Sequence, residues 1–411
     1  MFSRHTLITA LDIGASSTKA VIAETDCRGY VELLGHGQVA TAGQKGDVIN
    51  DIRELGESIA ACVEKAEDMA SVRAGSLVVS VGGEHVRIMN SRGGIPLDHG
   101  RGRYINRQDI KKVIDNAGAT PLSADLQVLH ILPINYYVDG QKVRNPDGLS
   151  GARLDVAVMI IAARQSVLNS IVKAAEYADC RVSRFCYRPL ATGRAVMSSR
   201  EMDMGGCLVD VGGRHTDIAV FKGGRMIFTS TLALGGENIT ADISALLEIG
   251  WDEAEKIKLS HGHCTAKLTD DVEFQVTGVR DGALWRTVRK SEFGVQVIQP
   301  RVEEILEEAM GSLLNSVDQA QLPGGVVLTG GVTRLPGFVG LASAILPVAV
   351  KNGLNSGLEN MKEISGAPDY STALGLVLMD MARRLSRRED VMDNPLSRLY
   401  GRLMRKIHAV I

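Results

Sequence analysis

The chain has 411 residues, of which 45% are hydrophobic, 23% charged and 4% aromatic, the profile of a globular protein of two to four domains at roughly 100–200 residues each. Its 46 Lys and Arg against 48 Asp and Glu leave a net charge of −2, which excludes a chain drawn to nucleic acid by its overall field. So few aromatics also argue against recognition by stacking on bases. The balance is uneven along the chain: residues 383–411 hold eight Lys/Arg and three Asp/Glu, so an acidic body carries a basic tail suited to an anionic surface.

Cys27, Cys62, Cys180, Cys186, Cys207 and Cys264 form no CxxC pair and no zinc spacing, which predicts free thiols in a reducing compartment. Met1–Ala10 lacks a basic stretch followed by a sustained apolar one, so no signal peptide is expected. The longest apolar runs, such as Val156–Ala163, fall short of the ~20 residues of a spanning helix.

In chain order, residues 7–24 read LITALDIGASSTKAVIAE, a strand, a tight turn and a second strand. The segment 51–70 carries helical periodicity, and Leu77–Val81 is a short buried strand. Gly82-Gly83 and Gly93-Gly94 punctuate the end of this first sheet, and NPDGLSGAR at 145–153 is rich in turn residues. Ala157–Ala162 reads as a strand and 165–178 as a helix. Residues 207–221, CLVDVGGRHTDIAVF, then repeat the strand–Asp-x-Gly–strand plan, with Cys207–Val211 as the strand. The two copies are too far apart for a solenoid, whose period is about 20–50 residues; they fit a duplicated domain in which each half offers a β-hairpin to a shared cleft. A helix is expected over 239–248, a polar irregular insertion over 262–294, a helix over 300–320 and a buried strand at Val326–Thr329 that runs into Gly330-Gly331. His261-x-His263 has no companion ligands and reads as a solvated loop, and the basic run Arg101–Arg107 is too short for a nucleic-acid site. Alternating strands and helices predict an α/β protein with mixed sheets.

The first hairpin turn, Asp12-Ile13-Gly14-Ala15-Ser16-Ser17-Thr18-Lys19, has the chemistry of a phosphate loop. Small residues let backbone N–H groups approach phosphate oxygens, Lys19 adds positive charge, and Asp12 can hold Mg²⁺ through water. The second, Asp210-Val211-Gly212-Gly213-Arg214-His215-Thr216-Asp217, offers the same features from the other half. Strand-Thr329-Gly330-Gly331 supplies bare backbone against which a base or ribose could pack, and Arg334 follows where a helix start is expected.

The C-terminal charged stretch 383–394 lacks apolar periodicity and reads as a linker. Beyond Pro395, Leu396, Leu399, Tyr400, Leu403, Ile407, Val410 and Ile411 fall on one face of a helix, opposite Arg398, Arg402, Arg405 and Lys406. No acidic residue occurs in 395–411. A purely basic polar face predicts a helix lying in the plane of an anionic membrane, each basic residue contributing about 1 kcal/mol.

The order of strand-DIG, strand-DVGG and strand-TGG resembles the actin, Hsp70 and sugar-kinase superfamily. With NPDGLSGARL at 145–154, ENITADIS and EAEKIKLSHG within 237–262, VIQPRVEEIL at 297–306 and the basic tail, the resemblance narrows to the bacterial cell-division family FtsA. It implies an actin-like two-lobed fold of duplicated ribonuclease H-like domains with the FtsA-type inserted subdomain 1C. The implied division is 1–82 and 162–193 for subdomain 1A, 83–161 for 1C, 194–236 and 301–382 for 2A, 237–300 for 2B, 383–394 for a linker and 395–411 for the membrane helix. It implies ATP and Mg²⁺ as ligands. Asp12, Gly14, Ala15, Ser16, Ser17, Thr18, Lys19, Asp210, Gly212, Gly213, Arg214 and Thr216 would lie at the phosphates, Asp12 and Asp210 at the metal. Gly235, Glu255, Lys258, Gly330, Gly331 and Arg334 would lie at the adenosine. The family's FtsZ C-terminal peptide would meet Arg301 and Glu304.

The resemblance also implies self-assembly into filaments, anionic lipids and other division proteins as partners, and a peripheral place on the inner membrane at the septum. Two departures from the family pattern stand out. Arg214 and His215 replace small residues, so Arg214 either points to solvent or adds charge near the terminal phosphate. No Glu or Gln stands at Pro189-Leu190-Ala191 to orient a water, so hydrolysis is expected to be slow and ATP mainly structural. A pilus-assembly actin or a small-molecule kinase of the same superfamily is the alternative.

Overall fold

The computed structural model describes residues 6–26, 28–97, 102–265, 271–277, 285–317, 322–354, 364 and 366–391. Two five-stranded sheets share one plan. In the first, Thr6–Ile13 pairs antiparallel with Ser17–Thr25, which pairs antiparallel with Val31–Ala40; Ser76–Val81 and then Arg181–Tyr187 add in parallel on the other side. In the second, Gly206–Val211, Thr216–Lys222 and Arg225–Leu232 form the antiparallel part, and Val326–Thr329 and Val350–Asn352 the parallel part. The internal repeat is therefore a repeat of topology. It extends to register: Asp12 stands opposite Lys19 in the first hairpin and Asp210 opposite Asp217 in the second.

The central strands are buried on both faces, which is why they read as unbroken apolar runs rather than as alternation. Leu11, Ala20, Ile22, Leu77 and Val79 pack under the helix Ile52–Ala70, and Val209, Val211, Ile218 and Leu328 pack with Ile239, Ile243, Val302 and Ile305 of the second lobe. The Ile52–Ala70 helix starts where the Asp51 carboxylate accepts the N–H groups of Arg53 and Glu54, and stops at Ser71, whose φ of 54° lies in the left-handed region.

Between Ser76–Val81 and Arg181–Tyr187 the chain builds a separate four-stranded sheet, ordered Gln141–Val143, Leu126–Val138, Arg153–Arg164, Val86–Pro96, with the helix Arg107–Gly118. It has its own core of Leu97, Ile105, Val113, Leu154, Val156 and Ile160. Two helices join the lobes, Arg188–Val196 and Ser371–Val391, and they pack on one another through Ala191, Ala195, Leu374 and Val377. The hydroxyls of Thr192 and Thr372 lie 2.9 Å apart across that contact.

Three expectations are corrected. The charged stretch 383–394, read as a linker without helical periodicity, is helical as far as Val391. It continues an apolar helix and gains an Asp380–Arg384 pair one turn apart at 2.6 Å. Within 262–294, Glu273–Thr277 and Trp285–Arg289 form an antiparallel hairpin rather than irregular chain, because Phe274 and Val276 alternate into the core. His263 is buried, not solvated; one ring nitrogen lies 2.7 Å from the Lys290 carbonyl, while His261 stacks on Phe274 at 4.1 Å. The membrane-helix residues of 395–411 lie outside the described residues. Among the described residues, no helix is long and apolar enough to cross a membrane.

His130 gives the fold a pH dependence. Its Nε2 accepts the Tyr187 N–H at 3.0 Å. Burial, aided by the nearby Arg184 charge, pushes its pKa from 6.5 down to about 4. Between those values the unfolded chain holds a proton that the folded chain refuses, so stability is lost as the pH falls through that window. The expected result is a melting temperature that drops from pH 7 to pH 4.5 more steeply in the wild type than in His130→Gln, which keeps an acceptor but does not titrate. Equal slopes for the two proteins would remove His130 as a cause.

Candidate functional site in the interlobe cleft

Both hairpin turns face the same cleft. Asp12, next to the end of its strand, is buried, and Ser80 Oγ donates to its Oδ1 at 2.5 Å. The turn closes through Gly14 N–H to the Ser17 carbonyl at 3.1 Å, and Thr41 Oγ1 braces it by donating to Gly14 O at 2.9 Å. Thr18 Oγ1 lies 2.9 Å from the same Thr41 hydroxyl. Lys19 is buried and donates to Ser17 Oγ at 2.6 Å, which holds its ammonium at the Ala15–Ser17 turn rather than in solvent.

In the second turn Gly212 N–H donates to His215 O at 2.9 Å. Gly213 lies so close to Ser16 of the first turn that a Cβ there would collide with the Ser16 hydroxyl. The two turns thus meet across the cleft. The second is stapled to the helix Gly236–Leu247, with Gly236 N–H donating to Gly212 O at 3.0 Å and Glu237 N–H to Gly213 O at 2.6 Å. Thr216 spends its hydroxyl on Leu234 O at 2.8 Å, so the substitution of small residues before it leaves the turn's backbone closed.

Arg214 neither points freely to solvent nor aims at the turns. It donates to Glu237 at 2.8 Å, and its Nε lies 3.8 Å from Asp47 of the first lobe. His215 Nε2 lies 3.0 Å from the other Asp47 oxygen. Asp47, a residue that sequence reasoning missed, therefore latches the second turn to the first lobe. Burial opposes its charge, but the His215 contact and the cations around it hold its carboxyl below the usual range.

The predicted adenosine residues divide. Gly330, at φ 95°, backs directly onto Asp210 and Val211. Lys258 donates to Gly236 O at 3.0 Å and Thr240 Oγ1 at 2.8 Å and pairs with Glu255 at 2.6 Å. Gly235 sits over the Gly212 and Gly213 carbonyls. These converge beside the second turn, and Gly331 follows directly in the short helical turn Gly331–Arg334. Arg334 is exposed, pairs with Asp369 at 3.2 Å and lines a second cavity together with Thr333, Gly337, Asn352 and Pro368. Arg301 and Glu304 pair with each other on the helix Gln299–Leu314, distant from the turns in contacts, and Arg301 makes a two-pronged bond to Asp242 at 2.6 and 2.8 Å.

Sequence reasoning also missed the centre of the site. Arg188, the first residue of the connecting helix, lies between the two hairpins. Its Nη2 donates to Ile13 O at 3.3 Å, its Nε lies 3.7 Å from Asp12 and its Nη1 3.7 Å from Asp217. Burial opposes its charge, but Asp12, Asp217 and Asp210 outweigh that and hold its pKa above the ordinary value. Asp210 accepts from Thr192 Oγ1 at 3.1 Å. Burial, with repulsion from Asp217, lifts its pKa to about 7 against the opposing pull of Arg188.

Three buried carboxylates face a single guanidinium deep in the cleft, with Asp210 kept partly neutral by its burial. Among the described residues, no group of three or more His, Cys, Asp or Glu side chains is placed to hold a metal ion directly, so these carboxylates could meet a hydrated cation only through its waters. The glycine-built turns fit a polyphosphate chain laid between them. Beside the turns, a cavity of about 450 Å³ is lined by Asp47, Gly83, His85, Arg164, Tyr187 and His215.

The chain is similar to known proteins over nearly its whole length. The family description "Cell division protein FtsA" matches residues 207–375, and "SHS2 domain inserted in FTSA" matches residues 83–162. The cell division protein FtsA of Pseudomonas aeruginosa is 32% identical over 380 residues, covering 92% of this chain and 90% of the relative. FtsA of Bacillus subtilis is 32% identical over 378 residues, covering 91% of this chain and 83% of the relative. Among solved structures, a PilM-PilN type IV pilus biogenesis complex matches with a TM-score of 0.65 at 17% identity, covering 91% of this chain and 98% of that one. An MreB of Spiroplasma citri bound to AMPPNP matches with a TM-score of 0.55 at 11% identity, covering 95% of this chain and 100% of that one. The structural likenesses establish the actin-like fold, the sequence likenesses the lineage, and the chain belongs to the FtsA family of cell division proteins.

Proposed function

We propose that the chain binds ATP with Mg²⁺ between its lobes, assembles into filaments on the inner face of the cytoplasmic membrane, and tethers FtsZ filaments there. The observation that carries this reading is the meeting of the Gly14–Ser17 and Gly212–His215 turns above a cluster of buried carboxylates. In it, Asp12 and Asp210 hold the metal through water. The turn N–H groups and Lys19 take the phosphates, and Glu255, Lys258, Gly235, Gly330 and Gly331 take the nucleoside. Mg²⁺ supplies charge neutralisation for the phosphates. The chain's own part is to orient them and to couple their presence to lobe closure through Asp47–His215 and Arg188.

ATP acts mainly as a structural ligand that favours the closed, assembling form. The inserted sheet offers filament contacts. The tail 395–411 lies in the membrane plane, each copy binding weakly and the filament binding strongly through multivalency. The FtsZ C-terminal peptide docks near Arg301 and Glu304, and further division proteins join on this membrane-bound scaffold. Arg301 would have to exchange part of its Asp242 pairing to make that contact.

The test is sedimentation with anionic vesicles. The full chain with ATP and Mg²⁺ is expected to pellet with vesicles, and a chain ending at Asn394 to lose at least about tenfold of that binding, since four basic residues near the leaflet contribute about 1 kcal/mol each. Equal pelleting of the two would end the membrane-tether reading.

A further inference from the structure

Arg188 is placed to do more than neutralise its neighbours. A guanidinium carries several N–H donors in a planar fork. Among the described residues, the hydrogen bond it makes is to the Ile13 carbonyl at 3.3 Å. Its approaches to Asp12 and Asp217, both 3.7 Å, are ion pairs too long to be hydrogen bonds. Most of its donors are thus held by charge in the middle of the cleft without being spent.

Its position is set from three sides. The chain reaches it from Tyr187, whose side chain is fully buried and whose hydroxyl lies 3.0 Å from Thr229 Oγ1 of the second lobe. Pro at the following position starts the helix. Gly82, at the end of the strand Ser76–Val81, packs on the guanidinium, with room for a Cβ only at 3.2 Å from its Cζ. Arg188 shares no partner with Lys258, whose contacts are Gly236, Thr240 and Glu255. Buried Lys258 and half-buried Arg188 therefore belong to separate contact networks around the turns. Lys258 stands beside Gly236 behind the second turn, and Arg188 stands beside Asp12 and the Ile13 carbonyl at the foot of the first turn, where that turn would present a phosphate.

We propose that Arg188 is the resident cation of the phosphate site: it reads the terminal phosphate of a nucleoside triphosphate and takes over part of the neutralisation that a divalent cation would supply. The inference rests on the nucleotide reading given above and adds a specificity-determining residue to it. A fork of free donors suits the several oxygens of a terminal phosphate and has nothing to grip when that phosphate is missing. The same fixed charge offsets Asp12 and Asp217 when no metal is bound. Triphosphate selectivity and tolerance to metal removal should then depend on one side chain.

The experiment measures the affinity of the purified full chain for fluorescent analogues of ATP and ADP, with Mg²⁺ and with excess EDTA, for the wild type, Arg188→Gln and Arg188→Lys. The wild type is expected to prefer ATP and to lose less than about tenfold in EDTA. Arg188→Gln should lose about 10–100-fold of ATP affinity in EDTA, the size of a charge-assisted hydrogen bond, and bind ATP and ADP alike. Arg188→Lys, with the charge but no fork, should recover the tolerance to EDTA and not the preference for ATP. If Arg188→Gln does not fold, as judged by circular dichroism, the lysine variant carries the test, and full ATP preference in it overturns the proposal. Variants that bind nucleotide with wild-type selectivity and metal dependence overturn the proposal alone. A wild type that binds no nucleotide even with Mg²⁺ overturns the nucleotide reading and the proposal together.

Discussion

Replacing Gly375 with alanine is expected to cost at least ~3 kcal/mol of stability, although the residue lies in a helix, where alanine is normally the better residue. Gly375 sits on Ser371–Val391 where that helix crosses Arg188–Val196. A Cβ at this position would overlap the Ala191 carbonyl and come within 3.0 Å of the Ala191 Cα. These are backbone atoms of a second helix, so no side-chain rotation relieves the overlap and one connecting helix must move off the other. Around the crossing, Ala191, Ala195, Ala373, Leu374 and Val377 are all buried, so the separation opens a core that both lobes share. For a chain of this size a loss of ~3 kcal/mol lowers the melting temperature by about 3–4 °C. Gly311, on the helix Gln299–Leu314 with nothing within 4 Å of its Cβ position, is the control, and alanine there should stabilise by about 0.5–1 kcal/mol. If the two alanine variants melted together near the wild type, the helices would not be in contact at Gly375.

The contrast shows what was legible in the residue order. The paired hairpins were, because each consists of a strand buried on both faces, which demands an apolar run, and a turn that demands small residues; Asp12 and Asp210 mark the same register point in both. The parallel strands Ser76–Val81 and Val326–Thr329 were legible for the same reason. Asp217 was within reach of the same overlay, since it occupies the register position of Lys19.

Arg188, Asp47 and Gly375 were not legible. Each acts on a residue far along the chain: Arg188 on Ile13 and Asp12, Asp47 on His215, Gly375 on Ala191. Nothing in the local pattern around them differs from an ordinary surface arginine, a turn aspartate or a helix glycine. The charged stretch before Val391 misled for the opposite reason. Its local pattern suggested a solvated linker, while its real determinant is the apolar helix that it extends and the Asp380–Arg384 pair that ties it on. The membrane-tail reading rests on pattern alone, which is why its test removes the tail and leaves the lobes intact.

Gly330→Ala should separate binding from folding at the site itself. Gly330 has φ 95°, a region that side chains of L-residues avoid at a cost of roughly 1–2 kcal/mol. Its Cβ position collides with Asp210 Oδ1 and with the Val211 carbonyl, whose carbon lies 2.7 Å away. Val211 closes the strand that presents the second turn, and Asp210 is held on its other side by Thr192 at 3.1 Å, so the carboxylate has nowhere to retreat without breaking that bond. The strain therefore falls on the Asp210 carboxylate and on the backbone of the turn, the two elements that the nucleotide reading needs in register. The expected result is a stability loss of about 2 kcal/mol together with a drop in ATP affinity of roughly 100-fold, equivalent to about 2.7 kcal/mol, measured well below the melting temperature of the variant. Gly340→Ala, ten positions on and with nothing within 4 Å of its Cβ position, should bind ATP as the wild type does. Because folded Gly330→Ala retains Lys258, Lys19 and Arg188, wild-type affinity in that variant would mean that the nucleotide does not depend on the Asp210 turn, and the convergence of the two hairpins would have to serve some other ligand.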